Sequence, residues 1–263
     1  MSFKAKMEQA SQEKQSRIIL ALDLPLIEPD RMVAKAKTIL EETKSEICAV
    51  KLNRHLILPS GVYSGIRDLL TQASDYQLPT IMDCKINDIG NTNRIIAQHY
   101  FNAGFRAVTA NPFVGWDEGL EPVFDLARQL NRGVILLVYM SHKAAWEGYG
   151  QQTLSSHDHK VTSQYMQFAR KAMQWNADGA VVGATYPEKI QEVFSVLGDR
   201  VPIYSPGIGA QGGVIDKAIK NGAKYLIVGR SITMAENPNH AAKSVNRMTK
   251  NLNSINRQKS AKL

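Results

Sequence analysis

Eight short apolar runs, separated by stretches of helical periodicity, constrain the fold more than any other feature of this sequence. They are Ile18 to Leu22, Ile47 to Leu52, Thr80 to Met82, Ala107 to Thr109, Val134 to Val138, Ala180 to Val182, Val201 to Tyr204 and Tyr225 to Val228. Nearly continuous apolar character, rather than strict alternation, is what a strand buried on both faces needs, and such strands belong to parallel sheets covered by helices. The stretches between them carry apolar residues three and four apart: Met32, Val33, Ala36, Ile39 and Leu40; Val62, Ile66, Leu69 and Leu70; Ile95, Ile96, His99 and Tyr100; Leu120, Val123, Phe124, Ala127 and Leu130; Ile190, Val193, Val196 and Leu197. Asp30, Ser60 and Asn91 stand where N-caps belong, and Gly222 stands where a helix would stop. Eight strand and helix units predict an α/β protein made of a single closed (β/α)8 TIM barrel rather than an open sheet.

At 263 residues and 44% apolar content the chain can bury one such core. The pattern assigns residues 17–250 to the barrel, with a polar N-terminal extension over 1–16 and a basic C-terminal tail over 251–263, both expected to be poorly ordered. No apolar run approaches the roughly 18 to 20 residues needed to cross a bilayer, and the first residues lack a signal-peptide stretch, so the expectation is a cytoplasmic protein with no membrane contact. Cys48 and Cys84 sit inside apolar strands and imply neither a disulfide nor a zinc site. His157 and His159 are the one close histidine pair and read as a solvated loop, so no metal is expected. The formal charge of +8 is spread along the chain, which argues against nucleic acid as partner, while a positive field steers small anions toward a cleft. From Ser141 to about Val161 no strand is expected, and a mobile loop or a tolerated insertion fits there equally.

In such a barrel the chemistry gathers at the C-terminal ends of the strands. The first strand ends at Asp23, the second at Lys51, and the third runs into Asp83-Cys84-Lys85-Ile86-Asn87-Asp88-Ile89. Residues two apart on a strand share a face, so Asp83 and Lys85 point to the same side, inward if Met82 and Cys84 pack outward. Lysines and aspartates converging on an apolar barrel are costly unless they satisfy one another, and that cost favours function. A second region, Ser205 to Gly213 after the seventh strand and Val228-Gly229-Arg230-Ser231 after the eighth, combines close-approach glycines with a cation, as a phosphate site does.

The ordered set RIILALD ending at Asp23, AVKLN with Lys51, DCKINDIGNT from Asp83 to Thr92, YMSH with Ser141, SPGIGAQGG and VGRSI resembles the orotidine 5′-phosphate decarboxylase family from residue 17 to about 240. The resemblance implies decarboxylation of orotidine 5′-monophosphate to UMP, the last step of de novo UMP biosynthesis, without metal or organic cofactor. It makes Lys85 the donor of the proton that quenches the carbanion at pyrimidine C6. Asp83 faces the departing carboxylate, and Lys51 ties Asp83 to Lys85 while touching the ribose. Asp23 becomes a ribose ligand, Ser141 a contact of the pyrimidine, and Gln211 a bridge between base and phosphate. Gly209, Gly229 and Arg230 grip the phosphate. Asp88, with Ile89 and Thr92, reaches into the site of a second copy, so a homodimer is part of the expectation. Where some members have a histidine-proline pair after the fourth strand, this sequence has Asn111-Pro112, and no role for a histidine there carries over.

Two alternatives stand beside this. Magnesium-dependent sugar-phosphate lyases of the ketogulonate-phosphate decarboxylase and hexulose-phosphate synthase group share the D-x-K-x-x-D run, but they resemble one another in a glutamate ligand where this chain has Lys51, a cation that repels magnesium. A non-catalytic nucleotide-binding barrel has no need of two buried-looking ion pairs.

Overall fold

The computed structural model describes residues 1–154, 160–209 and 212–260, and the side chains of all these except 212–213 and 251–260. The chain runs α1 (Phe3–Glu13), β1 (Ile18–Ala21), α2 (Pro29–Thr43), β2 (Ala49–Asn53), α3 (Arg54–Ser60), α4 (Ile66–Asp75), β3 (Thr80–Ile86), α5 (Gly90–Ala103) and β4 (Ala107–Ala110). It continues through α6 (Glu121–Gln129), β5 (Gly133–Tyr139), α7 (Ala145–Gly148), β6 (Gln152–Leu154), β7 (Val161–Ser163), α8 (Gln164–Gln174), β8 (Gly179–Val182) and α9 (Pro187–Leu197). β9 (Ile203–Pro206), α10 (Gly212–Lys220), β10 (Ala223–Val228), α11 (Arg230–Thr233) and α12 (Pro238–Ser260) complete it. All eight apolar runs fall on strands, and these close into one barrel in the order β1-β2-β3-β4-β5-β8-β9-β10, each parallel to its neighbours.

Each strand feeds two cores, which explains its continuous apolar sequence. Ile18, Val50, Met82, Val108, Val134 and Val182 join the layer packed against the helices. The alternate positions, Ile19, Ala49, Ile81, Ala107, Ile135 and Val181, join a separate cluster inside the barrel. Tyr204 and Tyr225 also fill that interior, their ring centroids 4.9 Å apart. Among the described residues no helix is long and apolar enough to cross a membrane.

The N-terminal segment departs from the loose polar extension expected. Phe3, Met7 and Ala10 recur on one face of α1, are at most 3% exposed, and belong to the cluster inside the barrel, so the helix plugs the barrel's N-terminal mouth. Three apolar residues among charged neighbours are a weak periodic signal, and the rim they fill exists only once the barrel has closed. The expected tail over 251–263 is likewise not separate, since α12 runs through residue 250 to Ser260, and residues 261–263 lie outside the described ones. The stretch after Ser141 is not featureless: it holds α7 and the antiparallel pair β6 and β7, with Gln152 opposite Ser163. His157 and His159 lie outside the described residues.

The observed helix starts differ from the expected caps. Pro29 opens α2, with Asp30 in its first turn where the helix dipole favours an acid. Ile89, not Asn91, precedes α5, and Ser60 ends α3 ahead of a distorted turn over 61–65 that takes up Val62. On α5 the buried residues are Asn93, Ala97 and Phe101, while Ile95 is half exposed, so its inner face is rotated from the one expected. Gly222 does stop α10, at φ +112°, a left-handed conformation that glycine takes without strain.

Candidate active site

The C-terminal ends of the strands open into a cleft of about 570 Å³. Its floor is the upper layer of the barrel interior, where Ile81, Ile135, Leu137, Val181 and Ile227 line the cleft. Charges set above such a floor interact more strongly than in water.

Strand alternation delivers those charges. On β2, Ala49 faces inward, so Lys51 does too; on β3, Ile81, Asp83 and Lys85 share the inner side, while Met82 and Cys84 join the outer layer. Lys51 Nζ lies 2.8 Å from Asp83 Oδ2 and 3.8 Å from Asp23 Oδ1, and Lys85 Nζ lies 2.7 Å from Asp83 Oδ1. The charges therefore alternate in a row, Asp23, Lys51, Asp83, Lys85. The expected arrangement, with Lys51 tying Asp83 to Lys85, is corrected by this order: the Asp83 carboxylate is the bridge, one oxygen to each lysine. The register explains it, because β2 pairs Lys51 with Ile81 and Asn53 with Asp83, so the two lysines approach the carboxylate from opposite sides along the barrel.

Burial by itself would raise the pKa of Asp83, but the Lys51 and Lys85 ammonium groups outweigh it and hold the carboxyl well below the usual carboxylate range. A permanently charged carboxylate thus stands in the cleft. Cys84 faces the other way: burial, and then the Asp83 charge, push its thiol up to about 12, which removes it as a nucleophile.

Thr109, on β4, carries no mark in the sequence beyond its place in an apolar run, and sequence reasoning missed it. It is 3% exposed and lines the cleft. Its Oγ1 donates to Asp83 Oδ1 at 3.1 Å and accepts the backbone N–H of Lys85 at 2.9 Å. The signal that could have found it is a hydroxyl at the inward position beside a charged strand end.

The opposite wall gathers the other expected residues. Ser141, Gly209, Gly229 and Arg230 line the same cleft as the charged row. Ser141 is held at its backbone, with its carbonyl accepting from Thr185 Oγ1 at 3.1 Å. Gly183 must be glycine there, since a Cβ would stand 2.6 Å from Ser141 Cα. Gly229 leaves room for Asp23, whose Oδ2 would lie 3.2 Å from an added Cβ. Arg230 is exposed at the rim and forms no ion pair with another described residue. Asp23 Oδ1 and Ser231 Oγ are buried without a hydrogen-bond partner among the described residues. Gln211 lies outside the described residues.

Asp88, Ile89 and Thr92 are not part of this cleft. Asp88 Oδ1 caps the N–H of Ile89 at 2.7 Å, and the buried Asn93 accepts the N–H of Asp88 at 2.9 Å, so the turn is fixed while Ile89 stands 70% exposed. Among the described residues no group of three or more histidine, cysteine or acidic side chains is arranged to hold a metal ion.

Residues 16–245 match the model of the orotidine 5′-phosphate decarboxylase / HUMPS family. The orotidine 5′-phosphate decarboxylase of Methanosarcina mazei is 35% identical over 230 residues, 88% of this chain and 93% of that one. Among solved structures, the orotidine 5′-phosphate decarboxylase of Pyrococcus horikoshii superposes with a TM-score of 0.71 at 34% identity, covering 89% of this chain and 99% of its own. The orotidine 5′-monophosphate decarboxylase of Methanocaldococcus jannaschii, solved with the inhibitor BMP, gives 0.71 at 27% identity, with 89% and 98% covered.

Proposed function

The chain belongs to the orotidine 5′-phosphate decarboxylase / HUMPS family, and from that premise we propose that it decarboxylates orotidine 5′-monophosphate to UMP, the last step of de novo UMP biosynthesis. The observation that carries this choice within the family is the row of alternating charges centred on Asp83, with Lys51 at the end of the second strand. A magnesium-dependent lyase needs oxygen ligands around its cation, and here the carboxylate that would supply them already faces two ammonium groups.

In this reading the pyrimidine lies over the apolar floor with its carboxylate toward Asp83. Repulsion between the two carboxylates raises the bound ground state and is relieved as CO₂ departs. The bond from C6 to the carboxylate breaks with its electron pair left on C6, where the Lys85 ammonium stabilises the charge and donates the proton that forms the C6–H bond. Lys85 is left as a neutral amine and recovers its proton from solvent. Asp23 and Lys51 hold the ribose, Ser141 and Gln211 the base, and Gly209, Gly229 and Arg230 the phosphate. Binding energy at the phosphate, remote from C6, is then available to hold the reacting end in place.

The proposal includes a cytoplasmic homodimer in which Asp88, Ile89 and Thr92 complete the neighbour's site. Its support is the rigid turn and the exposed Ile89, both set away from this chain's own cleft. Two inactive variants, Lys85→Ala and Asp88→Ala, should regain activity on mixing if sites are shared, because one heterodimer site is then intact. The central test is loss of orotidine monophosphate absorbance with EDTA present, for wild type and Lys85→Ala. Metal-free turnover by the wild type alone is expected, and abolition by chelator would sink the proposal.

A further inference from the structure

The strand pair that carries the reacting charges is irregular. β3 and β4 pair Ile81 with Ala107 and Met82 with Val108, then resume at Ile86 with Ala110. Between those rungs β3 holds Asp83, Cys84 and Lys85, whereas β4 holds only Thr109. Extra residues on one strand form a bulge, which breaks the ladder and aims side chains where a regular strand would not. Lys85 absorbs the distortion at φ +51°, a left-handed conformation that costs a side-chain-bearing residue free energy and persists only when its surroundings hold it.

Thr109 supplies that hold. A backbone N–H buried without a partner is costly, and the Lys85 N–H is taken not by the β4 backbone but by Thr109 Oγ1, at 2.9 Å. One lone pair of the hydroxyl is thereby engaged, and its proton is directed at Asp83 Oδ1, 3.1 Å away. One side chain is thus bonded to the backbone of the lysine and to the carboxylate of the aspartate.

We propose that Thr109 is a positioning residue for the decarboxylation, anchoring the strained Lys85 backbone and holding the Asp83 carboxylate in place while Lys85 gives up its proton. This rests on the decarboxylase reading above. Asp83 Oδ1 receives two donors, Lys85 Nζ at 2.7 Å and the Thr109 hydroxyl. When the C6–H bond forms with the proton of Lys85, Oδ1 loses its cationic donor until solvent returns a proton to the amine. The Thr109 hydroxyl does not titrate in this range, so the carboxylate keeps one fixed donor throughout the cycle. The same hydroxyl keeps the Lys85 backbone from relaxing out of its left-handed conformation, which would swing the ammonium away from C6.

The test is a hydroxyl series read by the split between kcat and KM. Thr109→Val keeps the shape and deletes the hydroxyl, Thr109→Ser keeps the hydroxyl, and Thr109→Cys offers a weaker donor. A hydrogen bond to a charged group is worth roughly a tenfold to hundredfold change in rate, so kcat should fall by about that much in Thr109→Val while KM stays within about twofold. Activity should decline in the order Ser, Cys, Val, with Thr109→Ser within about threefold of wild type. UMP binding and the melting temperature of each variant establish that it is folded, and if Thr109→Val does not fold, the Ser and Cys pair decides. Wild-type kcat in Thr109→Val, Thr109→Ser as impaired as Thr109→Val, or Thr109→Cys equal to Thr109→Ser overturns the role. An inactive wild type would instead remove the decarboxylase reading on which it stands.

Discussion

Replacing Lys51 with methionine tests whether the charged row is held together by Asp83. Methionine fills much of the space of the lysine stem but removes the ammonium 2.8 Å from Asp83 Oδ2. The two side chains are 7% and 13% exposed, so solvent screens the pair little. Removing one partner of a fully buried ion pair costs about 3–5 kcal/mol. Asp83 keeps Lys85 and Thr109 as donors, which places the expected loss below that range, at about 2 kcal/mol near pH 7. For a chain of this size that is a melting-temperature drop of roughly 4–8 °C. The pH dependence has a definite sign. The folded pKa of Asp83 lies below its unfolded value of about 3.9, so its stabilisation is fully present above about pH 4 and is lost as pH falls toward the folded value. With one cation gone the carboxyl titrates nearer its ordinary range and has less to lose. Urea unfolding of both proteins from pH 7 down to 3 should therefore show the gap closing below about pH 4. At pH 3 the folded wild-type carboxyl is still ionised, so the gap narrows there without reversing. No gap near neutrality, or a gap unchanged into acid, would refute the reasoning.

Gly183→Ala forces a methyl to within 2.6 Å of Ser141 Cα; displacing that segment by a fraction of an ångström should lower kcat/KM by on the order of tenfold to a hundredfold with little change in melting temperature, and unaltered kinetics would show that Ser141 is not held there. Phe3→Ala opens the plug at the far end of the barrel; a loss of about 3–5 kcal/mol in urea unfolding is expected with kcat unchanged, and a neutral effect would mean α1 is not part of the core. The Cys84 thiol, pushed up to about 12, should resist a thiol reagent at about pH 8 in the native protein and react on unfolding; rapid native labelling would contradict its burial.

Much of this molecule was legible in one dimension. Strands covered on both faces must be apolar throughout, so all eight could be found from composition, and their alternation with helical segments leads to a closed parallel barrel. The twofold side-chain period put Asp83 and Lys85 on one face of the third strand, the inner one if Met82 and Cys84 packed outward. The N-terminal plug was not legible in the same way, because Phe3, Met7 and Ala10 gain their burial from a rim assembled by strands distant in sequence. Nor was the turn that displaces the caps of α5 and the rotated face of that helix, which tertiary contacts set against weak local preferences.

The charged row divides along the same line. The sequence by itself determined which charges stand at the strand ends and which way they face, because side-chain direction along a strand follows from backbone geometry alone. Only the tertiary structure decided who touches whom. That Asp83 rather than Lys51 forms the bridge depends on the register between β2 and β3, and that Thr109 grips both Asp83 and Lys85 depends on a bulge opposite β4. Register and bulge are settled by closing eight strands around one interior, a constraint that no single segment of the chain carries.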